Sequence, residues 1–160
     1  MILPIEQSRC DFAVEALRHT GTLSLKAFGT SMLPTLWPGD VARVQLCAME
    51  DVEPGDIVLC KRYDRFYLHR VTQKIAGSWL ITRGDSMPSA DPPVPPGHLL
   101  GKVTHIQNGE QDFVSIRKLS LRSRLVGRIL GHSEVCMRLA MKFHAPFPPM
   151  TNPPLGDIAS

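Results

Sequence analysis

Three short segments hold the side chains from which a hydrolytic centre could be assembled. In the first, Phe28-Gly29-Thr30-Ser31-Met32-Leu33-Pro34, a serine sits between a glycine and a proline kink, where a strand runs into a turn. A nucleophilic serine needs such exposure, with its Oγ free and nearby backbone N–H groups aimed at the developing oxyanion. Gly-x-Ser alone is more often a plain polar turn. In the second, Tyr67-Leu68-His69-Arg70-Val71-Thr72, strand alternation sets His69 and Val71 on one face. Histidine, with an ordinary pKa of about 6.5, is the side chain suited to taking a proton near neutral pH. In the third, two carboxylates, Asp85 and Asp91, flank the constrained loop that follows Thr82. Either could accept the histidine ring N–H, fix its tautomer and stabilise the imidazolium, or could simply close Asx-turns. The embedded Arg83-Gly84-Asp85 tripeptide carries little weight as an adhesion motif, because the chain shows no secretion signal.

Other chemistries find less support. Cys10, Cys47, Cys60 and Cys136 show no CxxC spacing and no dense framework. A metal site and a disulfide scaffold are therefore not expected, and a reducing compartment is the simpler reading. The histidines are scattered, so neither a metal nor another cofactor is called for. A net charge of +3 over 160 residues is too small to argue for nucleic acid. No stretch runs for the roughly 18 apolar residues that a membrane helix needs, and charges break up residues 1–21 as a signal-peptide core. The expected location is cytoplasmic.

Elements must position these residues. With 43% hydrophobic and 21% charged residues, the chain has the composition of a single globular domain with one core. Residues 1–21 predict an amphipathic helix, with Ile5, Phe12, Ala16 and Leu17 on one side and Gly21 as its stop. Residues 22–118 predict a β domain, with strands at 23–28, 41–46, 56–61, 66–74, 79–82, 101–106 and 113–116. The dividers have turn chemistry: Pro38-Gly39-Asp40, Pro54-Gly55-Asp56, Gly77-Ser78 and Asn108-Gly109, the last a hairpin signal. The proline-rich stretch 88–97 predicts a stiff extended loop. Residues 119–143 predict a basic amphipathic helix, either packed on the domain or lying peripherally on an anionic membrane surface. Residues 144–160 predict a Pro-rich disordered tail.

Taken in order, the segments resemble a known family. Ser31-Met32-Leu33-Pro34-Thr35-Leu36 is similar to the nucleophile box of type I signal peptidases, and Pro54-Gly55-Asp56-Ile57-Val58 to the box that follows it. His69-Arg70-Val71 resembles the base box, Arg83-Gly84-Asp85 with Asp91 the acidic box, and Gly101-Lys102-Val103 the strand closing the family core. The histidine marks the Ser/His branch, the endoplasmic-reticulum and archaeal type, here without a membrane anchor. The resemblance implies a small, partly open β-barrel shared with the self-cleaving SOS repressors. It implies a serine endopeptidase acting on a precursor or leader peptide, with Ser31 as nucleophile, His69 as base and Asp91 as its partner. Asp91 matches because the branch places an aspartate six residues after its Gly-Asp pair. Asp85 would shape the loop or assist. Met32, Leu33 and Leu36 would line a shallow apolar site for an extended peptide. The residue two before the nucleophile, often a serine in the family, is Gly29 here, so oxyanion stabilisation would rest on backbone N–H groups, chiefly that of Ser31. A self-cleaving regulator and a non-catalytic peptide-binding module on the same fold are the alternatives.

Overall fold

The computed structural model describes residues 4–63, 65–75 and 79–108, with side chains from residue 9 onward. The expected strand at 113–116, the Asn108-Gly109 hairpin, the Gly77-Ser78 turn, the helix at 119–143 and the tail at 144–160 lie outside the described residues. Helix α1 spans Pro4–Thr20, and strands β1 to β6 span Thr22–Lys26, Val41–Leu46, Ile57–Arg62, Arg65–Ile75, Trp79–Arg83 and Leu99–Gln107. The strands form one antiparallel sheet in the order β1-β2-β6-β3-β4-β5. The architecture is thus mainly β.

The two Pro-Gly-Asp dividers have the same construction. In Trp37-Pro38-Gly39-Asp40 the Asp40 N–H donates to the Trp37 carbonyl at 3.0 Å, and the Asp40 carboxylate accepts the Trp37 N–H at 2.8 Å. Glu53-Pro54-Gly55-Asp56 repeats it at 3.1 and 3.0 Å. Gly39 and Gly55 have φ of 102° and 104°, the left-handed third position that a proline-led type II turn demands.

Strand β3 is covered on both faces, which accounts for its unbroken apolar run. Val58 and Cys60 enter one core cluster with Met49, Val52, Val71, Leu80 and Val94. Ile57 joins Met32, Leu36, Ala42 and Ile106 on the other side. Leu59 meets Leu17 of α1, with Val44 and Leu100. The helix therefore packs through Leu17, 1% exposed, whereas Phe12 is 77% exposed. Five residues advance a helix by about 140°, so Phe12 and Leu17 cannot share a buried stripe.

Among the described residues the sheet is not closed. The resemblance implies a partly open barrel; the described strands form one open sheet, with β1 and β5 at the two ends of the strand order. The outer edge of β5 is instead covered by residues 91–94: Leu80 and Val94 exchange backbone hydrogen bonds at 3.0 and 2.8 Å, and the Asp91 N–H donates to the Thr82 carbonyl at 2.8 Å. Prolines flank Val94, so this segment can bridge but cannot extend the ladder. Among the described strands, β1 pairs only with β2.

Candidate active site

The serine is held on a loop that closes on itself. Ala27 and the Asp40–Gly39 turn exchange backbone hydrogen bonds at 2.7 and 3.0 Å, which joins the two ends of the loop. Within it, the Leu33 N–H donates to the Thr30 carbonyl at 3.2 Å, and the Thr35 and Leu36 N–H groups both donate to Met32 at 2.9 and 3.0 Å. Met32, Leu33 and Leu36 are buried. Burial of these side chains anchors the loop and leaves Ser31 half-buried at the mouth of a cleft.

Register brings the base to it. His69 lies opposite Val58 in the β3–β4 ladder, at the point where β4 passes the loop. Its Nε2 is 3.2 Å from Ser31 Oγ. Its Nδ1 is 2.6 Å from Asp91 Oδ2. With Asp91 accepting the Nδ1–H, Nε2 is the ring nitrogen left to accept the Ser31 hydroxyl proton. His69 is 12% exposed and Asp91 21%, so the relay is screened from bulk water without being sealed off. The same Asp91 oxygen accepts the Thr82 hydroxyl at 2.7 Å. Thr82 itself is fully buried. Burial pushes the Asp91 carboxyl up, but the hydrogen bonds from His69 and Thr82, with the charges of His69 and Arg62, outweigh it and hold the group below its ordinary value.

Around this centre the side chains are locked. The Tyr67 ring meets the His69 ring edge-on, with centroids 5.2 Å apart. Arg62 lies 5.7 Å over the Tyr67 ring and donates to the Pro92 carbonyl at 3.0 Å. It thus ties the loop carrying Asp91 to the strand carrying His69.

Asp85 goes elsewhere. It forms a bidentate pair with Arg70, with Nε and Nη2 each at 2.8 Å. Arg70 Nη1 also donates to the Gly55 carbonyl at 2.7 Å, and the Thr35 hydroxyl donates to Asp85. Of the two roles expected of Asp85, shaping the loop or assisting His69, the contacts fit the first: it joins the serine loop, β4 and the Pro54 turn through Arg70. Its side chain is 5% exposed, so Arg83-Gly84-Asp85 offers no accessible adhesion loop.

The cleft has a volume of about 300 Å³, at the lower end of ligand-binding cavities. It opens between β1 and β4, and Leu25, Ala27, Met32, Leu36, Phe66 and Leu68 supply much of its wall, with Ser31 at its rim. Met32 and Leu36 of the expected lining are present; Leu33 is wholly buried and is not part of the wall. Two thiols among the described residues, Cys60 and Cys47, are held neutral. Burial drives the Cys60 thiol up to about 12, against the lowering hydrogen bond with Tyr67, and drives Cys47 to about 11 against the pull of Lys102. Such thiols are unreactive at neutral pH. Among the described residues no three His, Cys, Asp or Glu side chains cluster as metal ligands, and no helix is long and apolar enough to cross a membrane.

Reading the sequence alone missed Thr82, Arg62 and the bridging role of Arg70. The one local signal was a threonine ending the apolar run Leu80-Ile81. What Thr82 bonds to is decided by the loop crossing β5. Comparison with protein-family models returned no match, and no curated protein matched the chain.

Proposed function

We propose that the protein is a serine endopeptidase of the signal-peptidase type, built on the fold that those enzymes share with the SOS repressor proteases. The observation that carries this reading is the continuous relay Ser31 Oγ–His69 Nε2, 3.2 Å, and His69 Nδ1–Asp91 Oδ2, 2.6 Å, at the rim of an apolar cleft. Ser31 Oγ attacks the scissile carbonyl carbon as His69 Nε2 takes its proton, and the Ser31 N–H stabilises the oxyanion. His69 then gives that proton to the leaving amine, the C–N bond breaks, and an acyl-enzyme remains. Water, deprotonated by His69, attacks the ester and restores Ser31.

The substrate is an extended peptide lying along the edge of β1 that no other described strand pairs with, with apolar side chains entering the cleft. A precursor or leader peptide processed on the cytoplasmic side of the membrane suits this reading. An alkyl fluorophosphonate probe with peptide mapping tests it. Label is expected on Ser31 in the wild type and none in Ser31→Ala or His69→Ala; equal labelling of all three would refute the mechanism.

A further inference from the structure

We propose that Ser86 is a positioning residue that aims the Ser31 N–H at the oxyanion, an inference that rests on the serine-hydrolase reading above. Ser86 is 7% exposed and lies on the turn between β5 and the Asp91 loop. Its hydroxyl donates to the Thr30 carbonyl at 2.8 Å, and its backbone N–H donates to the Ser31 carbonyl at 3.0 Å. The two peptide planes on either side of the Ser31 α-carbon are therefore both held by one residue.

The consequence follows from peptide geometry. In a planar trans peptide, the carbonyl of one residue and the N–H of the next point in opposite directions. Holding the Thr30 carbonyl toward Ser86 thus turns the Ser31 N–H away from Ser86. Leu33 N–H takes a second position on the same Thr30 oxygen at 3.2 Å, so the plane is fixed from two sides. Among the described residues the Ser31 N–H itself has no acceptor. Rotation of this plane would swing the donor off target, and the Ser86 hydroxyl opposes that rotation.

Two further observations agree. A Cβ on Gly84 would lie 2.6 Å from the Ser31 carbonyl oxygen and 3.1 Å from Ser31 Cβ. A glycine is therefore required for the Ser86 turn to approach closely enough to clamp the serine loop. Gly29, two residues before the nucleophile, brings no side-chain donor, so the aim of the backbone donor matters more.

Phosphonylation by an alkyl fluorophosphonate reads this directly. Ser31 Oγ bonds to phosphorus, fluoride leaves, His69 takes the hydroxyl proton, and the phosphoryl oxygen occupies the oxyanion position. Rates are measured from pH 5 to 9 on the full chain for wild type, Ser86→Ala, Ser86→Cys and Ser86→Thr. Loss of an oxyanion donor costs about 10²–10³-fold; a misaimed one is expected to lower the plateau by about 10- to 100-fold in Ser86→Ala. Ser86→Thr, which keeps the hydroxyl, should restore the rate. Ser86→Cys, which fills the same space with a weak donor, should follow alanine. The acid limb of the profile, set by the relay through His69, should stay in place, which a general loosening of the loop would not allow. A wild-type rate in Ser86→Ala or Ser86→Cys, or a moved acid limb, would overturn the inference while leaving the hydrolase reading intact. No labelling of the wild type would overturn both.

Discussion

One oxygen of Asp91 accepts both the His69 ring N–H and the Thr82 hydroxyl, and the chemistry of the site depends on that crowding. Asp91→Asn keeps the shape but offers an amide where a carboxylate is needed, which favours the wrong histidine tautomer. Fluorophosphonate labelling of that variant is expected to fall by about 10⁴-fold, with Ser31 still the labelled residue. Thr82→Val is nearly isosteric and removes one of the donors that lower the Asp91 carboxyl. Its midpoint, followed by carboxyl NMR, is expected to move up toward the ordinary value of about 3.9. Ser31, His69 and Asp91 stood out as residues only through their order along the chain, since a serine in a turn, a histidine in a strand and an aspartate in a loop are each common alone. Thr82 did not, because a threonine at a strand end looks the same whether or not a carboxylate crosses it.

Elements supply the rigidity that residues cannot. The Arg70–Asp85 pair is nearly buried, at 11% and 5% exposure, and fastens the serine loop to β4 and to the Pro54 turn. Asp85→Asn leaves the guanidinium charge without its counter-ion, and such losses cost about 3–5 kcal/mol; urea unfolding should show a lowered midpoint with little change in slope. Gly84→Ala forces a Cβ against the Ser31 carbonyl, a backbone contact that cannot relax by a rotamer change. We expect a loss of about 1–3 kcal/mol in stability, with labelling reduced because the two loops are pushed apart. The six described strands were legible to within about two residues from alternation and turn chemistry. The face of α1 was legible only in part: Leu17 is buried, but Phe12 points to solvent, since which stripe is covered depends on where the helix crosses the sheet.

Across the whole molecule, stability and the relay are linked through protons. Asp91 sits below its ordinary value in the folded chain, so the unfolded chain binds its proton more readily. The stability it contributes is complete above the unfolded value of about 4 and is lost as pH falls through the lower folded value. Urea midpoints measured between pH 6 and 2 should fall more steeply below about pH 4 in the wild type than in Asp91→Asn; parallel curves would contradict the shift. By itself, the amino-acid sequence determined the mainly β class, the positions of the six described strands, and the turns at Gly39 and Gly55. These depend on local periodicity and backbone preference, which are properties of neighbouring residues. Only the tertiary structure decided that Thr82 shares the Asp91 oxygen with His69, that Asp85 pairs with Arg70, that Leu33 is core rather than cleft, and that Ser86 grips the serine loop. Each of those depends on residues 9 or more positions apart meeting in space, where register and loop crossing, not composition, set which groups touch.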